Sequence, residues 1–391
     1  MRNGRCDWSI PAMVPHQGHY RKAVRYIESD ALKATIARVR LLSDKPARAR
    51  AAIYLDHAAT APVLPEVREV VADALARWAN PSSVHAAGRA ARAALEDARD
   101  RVAGALGWSG TVIFTGSATE ALALGWSAGK GSVRLAAAVE HTAVLRHGGA
   151  ALVPVDANGL IDPDALPHAD LLAVQQVNNE TGVIQPLDRI AQAVHAVGGL
   201  LLADCAQGAT KLPLPDADLI AIAGHKVGAP PGIGALLVRN LALLTPSGGQ
   251  ERGYRPGTEN LPYILGLATA LEADRGWLAG AEDLREWLEQ ELRGLGLEVI
   301  AADAPRVPTL GAYRLPGTAA TTLLIRCDMA RIAISAGSAC ASGSISPSHV
   351  MRAMGMDEAA AREVFRVSIG RDTTRGELEA LLAVVRSVVR R

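Results

Sequence analysis

From Ile53 to the C-terminus the chain alternates short apolar runs with longer segments of helical character, and no internal repeat or low-complexity tract interrupts the alternation. The runs Thr111–Thr115, Val133–Val139, Leu171–Val177, Leu200–Ala203 and Leu219–Ala223 are short, mostly apolar and bounded by polar residues or glycine. That is the pattern of strands buried on both faces. Strands that alternate with helices predict a largely parallel sheet covered by helices. The composition changes near residue 275, where Ala281–Arg293 is rich in Glu, Leu and Arg and reads as a helix. A domain boundary is expected there. Strand-like Val364–Ile369 and a last helix, Arg375–Arg390, then predict a smaller α+β domain.

Residues 1–50 do not share the alternation. Eleven Arg or Lys stand there against Asp7, Glu28, Asp30 and Asp44, with a short helix expected over Lys22–Leu42. The segment lacks the apolar stretch of a secretory signal, and its acidic residues disfavour a transit peptide. A poorly ordered basic extension is the expectation, ahead of nucleic-acid binding. Over the whole chain 41 basic and 40 acidic residues nearly cancel, and aromatic residues are only 4%, so neither nucleic acid nor a charged membrane surface is indicated as a partner. No run approaches the roughly 20 apolar residues of a membrane helix. At 391 residues, 49% hydrophobic, the chain can build a core of two-domain size. Cys6, Cys205, Cys327 and Cys340 are widely spaced with no CxxC pair, so neither a metal site nor a disulfide framework is expected. They fit a reducing cytoplasm.

The chemistry lies just beyond the end of each strand. After Thr111–Thr115 comes Gly116-Ser117-Ala118-Thr119-Glu120; the other runs deliver Glu140-His141, Asn178-Asn179-Glu180, Asp204 with Gln207, and Gly224-His225-Lys226. Ligands of open α/β sheets bind at the carboxyl edge, where one crevice can collect all five sets. The turn before the helix at Ala118 leaves backbone N–H groups of Ala118 and Thr119 pointing outward, a seat for phosphate. The same residues also make an ordinary N-cap. Asp204 closes a very apolar run, where an ionised carboxylate needs a cationic partner such as a pyridinium nitrogen. An N-cap or surface turn is the plain alternative. Lys226 emerges from a buried strand on a glycine turn, where desolvation can lower an amine's pKa enough for covalent bonding to a carbonyl, although most lysines so placed are solvated. Gly232-Ile233-Gly234 reads as a turn entering a strand and not as a dinucleotide fingerprint. Cys340 sits among small residues in SAGSACASG, which predicts an open loop, and a thiol of pKa about 8.5 is a strong nucleophile there. Cys205 and Cys327 suit buried structural roles, and Cys6 is given none.

Ten segments then carry a specific resemblance: YLDHAAT (54–60), NPSSVH (80–85), TGSATEA (115–121), VEHTAVL (139–145), VNNETGV (177–183), DCAQG (204–208), AGHKVGAPPGIGAL (223–236), RPGTEN (255–260), SAGSACAS (335–342) and FRVSIGR (365–371). In this order they resemble the cysteine desulfurases, the NifS/IscS branch of the class V aminotransferases. The resemblance implies a pyridoxal-phosphate-dependent transferase of fold type I, with a mostly parallel seven-stranded sheet flanked by helices. It implies a large domain over 68–275, and a small domain made of 53–67 and 276–391 that carries the cysteine loop. Only the extension over 1–52 falls outside.

By that resemblance Lys226 holds pyridoxal 5'-phosphate covalently and moves protons, Asp204 pairs with the ring nitrogen, and His141 stacks on the ring as an acid or base. Gln207 and Asn179 lie near the ring hydroxyl and substrate. Ala118, Thr119, His225 and Thr258 meet the phosphate, Thr258 arriving from a second subunit, so a homodimer is implied. Arg366 clamps the carboxylate of L-cysteine, a task for a planar bidentate donor; in a strand it shares a face with Ser368, opposite Phe365 and Val367. Cys340 takes the sulfur as a persulfide and delivers it to a sulfur-acceptor protein of iron–sulfur cluster biosynthesis or tRNA thiolation. The chain departs from the family at Ala223, where many relatives carry a phosphate-binding serine, and at Gly116-Ser117, Ala61 and Ala123. A selenocysteine lyase, another class V lyase or aminotransferase, and a non-catalytic partner protein are the alternatives. Transamination needs no thiol, and a non-catalytic protein needs none of Lys226, Asp204, His141, Arg366 and Cys340.

Overall fold

Strand β1 (Ile53–Tyr54) leads into helices α1 (Pro65–Ala76) and α2 (Ala86–Leu106). Next come β2 (Thr111–Thr115), α3 (Ala118–Ala128), β3 (Arg134–Ala137), α4 (Thr142–Leu145), β4 (Ala151–Val153), β5 (Leu171–Gln175), α5 (Leu187–Ala196), β6 (Leu200–Asp204), β7 (Leu219–Ala223) and β8 (Gly234–Val238). Helices α6 (Leu261–Glu272) and α7 (Trp277–Gly294) connect these to β9 (Glu298–Val299), β10 (Leu310–Arg314), α8 (Ala320–Met329), β11 (Ile332–Ala333), β12 (Ser335–Ala336), α9 (His349–Ala353), α10 (Glu358–Ala361), β13 (Val364–Ser368) and α11 (Arg375–Val389). This computed structural model describes residues 52–147, 151–337 and 347–389. The expected helix Lys22–Leu42, Cys6 and Cys340 lie outside the described residues.

The seven-stranded sheet runs β2-β8-β7-β6-β5-β3-β4. It is parallel from β7 to β4, while β8 is antiparallel to both of its neighbours. Buried along their whole length, β7 and β8 are unbroken apolar runs, and β5 departs from one only at its last residue, Gln175. Alternate residues of one strand feed opposite layers. Leu172, Val174, Leu201, Ala203, Ile220 and Ile222 join Leu95, Ile190 and Leu267 on one side. Leu171, Ala173, Leu202, Leu219 and Ala221 join Leu122, Trp126 and Val144 on the other. The register sets Gln175 opposite Asp204 and Asp204 opposite Ala221, so β5 and β6 end level while β7 runs two residues farther, to Ala223.

A second sheet, β12-β13-β10-β9, is antiparallel and packs with α7 and α11 around Leu288, Leu292, Tyr313, Phe365, Val367, Leu378 and Leu381. Strand β1 pairs in parallel with β11. The expected strand Val133–Val139 is trimmed to Arg134–Ala137, and Leu171–Val177 ends at Gln175 because Val177 leaves the ladder to bridge Ile184. No helix among the described residues is long and apolar enough to cross a membrane.

Candidate active site

Strand β7 ends in a single tight turn, Gly224–Lys226, that turns the chain out at the sheet edge. Only glycine fits at its start: a Cβ on Gly224 would lie 2.6 Å from Ile233 Cγ2 and 2.8 Å from the Ile233 carbonyl oxygen. The turn brings Lys226 to the wall of a cavity of about 310 Å³. Asp204, the last residue of the adjacent strand β6, reaches the same cavity and is almost fully buried; its Oδ1 accepts the Ala206 N–H at 2.9 Å. Ala118, Ala206 and Ala223 make a small apolar patch in the cavity wall.

Helix α3 starts at this cavity. Ser117 caps it, its Oγ accepting the Glu120 N–H at 3.1 Å, and the Glu120 carboxylate accepts the Gly116 N–H at 2.6 Å. The N–H groups of Ala118 and Thr119 in its first turn have no acceptor among the described residues. Strand β8 passes so close beneath that a Cβ on Gly234 would sit 2.6 Å from the Ser117 carbonyl carbon and 2.9 Å from Ala118 N. His225 stands at the same end, its ring held toward the neutral form by burial and by the Lys226 charge. Thr258 is exposed and does not line the cavity of its own chain.

His141 caps α4, its Nδ1 accepting the Ala143 N–H at 3.1 Å, which leaves the proton of the neutral ring on Nε2. Burial, then the Lys226 charge, lowers its pKa, while Asp204 opposes. Gln207 donates through Nε2 to the Ala58 carbonyl at 2.8 Å, and its buried Oε1 has no partner among the described residues. Arg366, on β13, donates through Nη2 to Asp56 Oδ1 at 2.7 Å and through Nη1 to the Asn179 carbonyl at 2.6 Å; its buried Nε has no acceptor among the described residues. His141, Asn179, Gln207 and Arg366 all line the one cavity with Lys226 and Asp204.

The motif at 54–60, whose individual residues carry no functional expectation from the sequence, is a strap across the site. Besides Asp56 on Arg366 and the Ala58 carbonyl on Gln207, the Ala61 N–H and the Thr60 hydroxyl donate to the His225 carbonyl at 2.8 and 3.3 Å. Two glutamates at the site are placed at strand ends by the sequence but given no individual role by it. Glu140 is completely buried, with Oε1 on the Gln175 N–H at 2.6 Å; burial first, then the Asp204 charge, lifts its pKa well above the usual range. Glu180 accepts from the Ser348 hydroxyl at 2.5 Å, and burial raises it as well. His349, next to Ser348, donates from Nε2 to the Glu140 carbonyl at 2.8 Å and lines the cavity, as does Gly337. The two chain stems on either side of residues 338–346 thus reach the same cavity. Lys211 is pushed down to about 7 by burial and by the charges of Lys226 and Arg366. Each of these is a polar residue in or near a family motif, yet its partner is remote in sequence and no local pattern gives it a role. Cys205 and Cys327 are buried, and desolvation raises both thiols, Cys327 to about 12.

Residues 53–381 match the family model of the class-V aminotransferases. The chain is 34% identical over 374 residues to a cysteine desulfurase of Gluconacetobacter diazotrophicus, an alignment covering 86% of this chain and 93% of that protein. Its fold is similar to a NifS-like protein of Rickettsia africae, with a TM-score of 0.79 and 28% identity over 87% of this chain and 100% of the other. It is also similar to SspA solved in complex with cysteine, at a TM-score of 0.70 and 28% identity, covering 82% and 100% of the two chains.

Proposed function

This chain belongs to the class-V aminotransferase family, and from that premise we propose that it is a pyridoxal-phosphate-dependent cysteine desulfurase, converting L-cysteine to L-alanine and taking the sulfur on Cys340 as a persulfide. The observation that carries the reading is one cavity shared by an amine, a buried carboxylate and a guanidinium: Lys226, Asp204 and Arg366. Unmet donors and acceptors in its wall fit the cofactor. The first-turn N–H groups of Ala118 and Thr119, with His225, suit a phosphate dianion. The unpartnered Gln207 Oε1 suits a ring hydroxyl, and Asp204 suits a protonated ring nitrogen. Thr258, exposed in its own chain, would complete the phosphate seat of a second copy, which makes the working unit a homodimer.

Bound there, pyridoxal phosphate supplies an aldehyde that an amine can bond and a ring that withdraws electrons. Lys226 would hold it through its amine, and the same amine at the cavity wall is a base for the substrate Cα proton. Arg366, which lines the cavity, binds the substrate carboxylate through guanidinium N–H donors not spent on Asp56 and Asn179. His141, neutral with its proton on Nε2, can give that proton and later recover one. Cys340 lies three residues beyond Gly337, within about 10 Å of chain reach from the cavity wall. Its thiolate forms an S–S bond with the substrate sulfur as the C–S bond breaks, the carbon keeping the electron pair and ending, after protonation, as alanine. The persulfide then passes to an acceptor protein of iron–sulfur assembly or tRNA thiolation. Four widely spaced cysteines without a CxxC pair fit a reducing compartment, the cytoplasm.

The test is an assay of alanine and sulfide from L-cysteine with the cofactor spectrum followed in parallel. Native protein is expected to be yellow and active; Cys340→Ser is expected to change its spectrum with cysteine yet release almost no sulfide. Colourless protein that takes up no added cofactor overturns the reading, as does undiminished turnover by Cys340→Ser. Turnover of selenocysteine with cysteine inert would replace it with a selenocysteine lyase.

A further inference from the structure

Arg366 is a buried cation with cationic neighbours, since both Lys211 and Lys226 act on the same region. Such a group is costly to desolvate unless it is paired. Its pair is Asp56, at 2.7 Å, and the two side chains are only 10% and 20% exposed. Asp56 is itself fixed by the strand that carries Arg366. The Ser368 N–H donates to the Leu55 carbonyl at 2.9 Å, the Ala58 N–H to the Ser368 hydroxyl at 2.9 Å, and the Tyr54 hydroxyl to the Asp56 carbonyl at 3.1 Å. Asp56 and Ser368 form a parallel bridge. The carboxylate therefore has little freedom to follow the guanidinium, and the guanidinium must orient to it.

We propose that Asp56 is the positioning residue of the substrate-carboxylate clamp, fixing with the Asn179 carbonyl the plane of Arg366 so that its guanidinium is presented to an incoming α-carboxylate. A guanidinium is planar with five N–H donors. Acceptors on Nη2 and Nη1 settle its rotation and leave the buried Nε–H and one N–H on each Nη without an acceptor among the described residues. Without Asp56 the Asn179 carbonyl alone, among the described residues, accepts from the guanidinium, and a bidentate contact that depends on a fixed plane is lost. The inference rests on the desulfurase reading for the identity of the amino acid, but the geometry concerns any α-amino acid that the cavity admits.

The experiment is an equilibrium spectral titration of cofactor-loaded native protein, Asp56→Ala, Asp56→Ser and Asp56→Asn with L-cysteine and with cysteamine, the same amine and thiol without the carboxylate. Asp56→Ala and Asp56→Ser are expected to raise the half-saturating concentration of L-cysteine about tenfold or more, and to leave that of cysteamine unchanged. Asp56→Asn keeps an oxygen for Nη2 and is expected to recover binding to within about threefold of native. Equal weakening for both ligands would mean general damage and would overturn the proposal, as would unaltered or tighter cysteine binding by both truncations. Native protein that responds to other amino acids and ignores cysteine would refute the desulfurase reading instead. The same comparison with the responding amino acid and its decarboxylated amine would then judge Asp56.

Discussion

Glu140 has no exposed surface; its Oε1 takes the Gln175 N–H, and its Oε2 has no partner among the described residues. A carboxylate so placed resists ionisation, and the nearby Asp204 charge adds to that resistance. An unfolded glutamate titrates near 4.5 and the folded one well above, so as pH rises from 4.5 through the folded value the native state loses stability. Glu140→Gln carries no such loss. Its stability relative to native protein is expected to improve from about pH 5 to about pH 8 in denaturant unfolding, and a difference that does not vary with pH would contradict the neutral carboxyl. At this scale the strand ends marked Lys226, Asp204, His141, Asn179 and Gln207, because each follows a strand whose pattern is strong, while Arg366 was marked by the family resemblance alone. The sequence assigned no role to Asp56, Glu180 or His349. The contact of Asp56 with Arg366 joins residues 310 positions apart, and no local spacing encodes such a pair.

The elements explain why small residues recur in the family motifs. Strand β8 runs antiparallel between β2 and β7, and its first residue, Gly234, lies under the N-terminal turn of α3. Side-chain atoms there would push the Ser117–Ala118 backbone away from the position proposed to seat the phosphate. Gly234→Ala is expected to cost about 1–3 kcal/mol in stability through overpacking, and to weaken cofactor binding about tenfold. Thermal unfolding and spectral titration with pyridoxal phosphate check the two effects, and native-like affinity would show that the turn tolerates displacement. The strands themselves were legible because burial on both faces demands continuous apolar runs. Strand β4, three residues long and half-exposed at the sheet edge, carries no comparable signal.

For the whole molecule, the exposure of Thr258 and of large apolar residues on the segment joining α1 to α2 points the same way. Trp78 is 85% and Val84 88% exposed, more than a single chain in water favours at one short stretch. If a second copy covers them, the native mass in sedimentation is about twice 40.8 kDa. Thr258→Ala is then expected to weaken cofactor binding although the residue does not line its own chain's cavity. A monomer that binds the cofactor fully would set aside the homodimer.

The alternating α/β plan, the buried strands and the polar sets at their carboxyl ends were legible in the order of residues alone, because burial and periodicity are local properties that composition must satisfy. So were the family's ordered motifs. The packed chain was needed to establish that five of those sets meet at one cavity, that the strap at 54–61 ties Arg366, Gln207 and His225 together, and that Glu140 lies sealed beside Asp204. Those facts depend on strand order and register, which bring remote residues within bonding distance, and on desolvation, which acts on a charge only once the chain has closed around it.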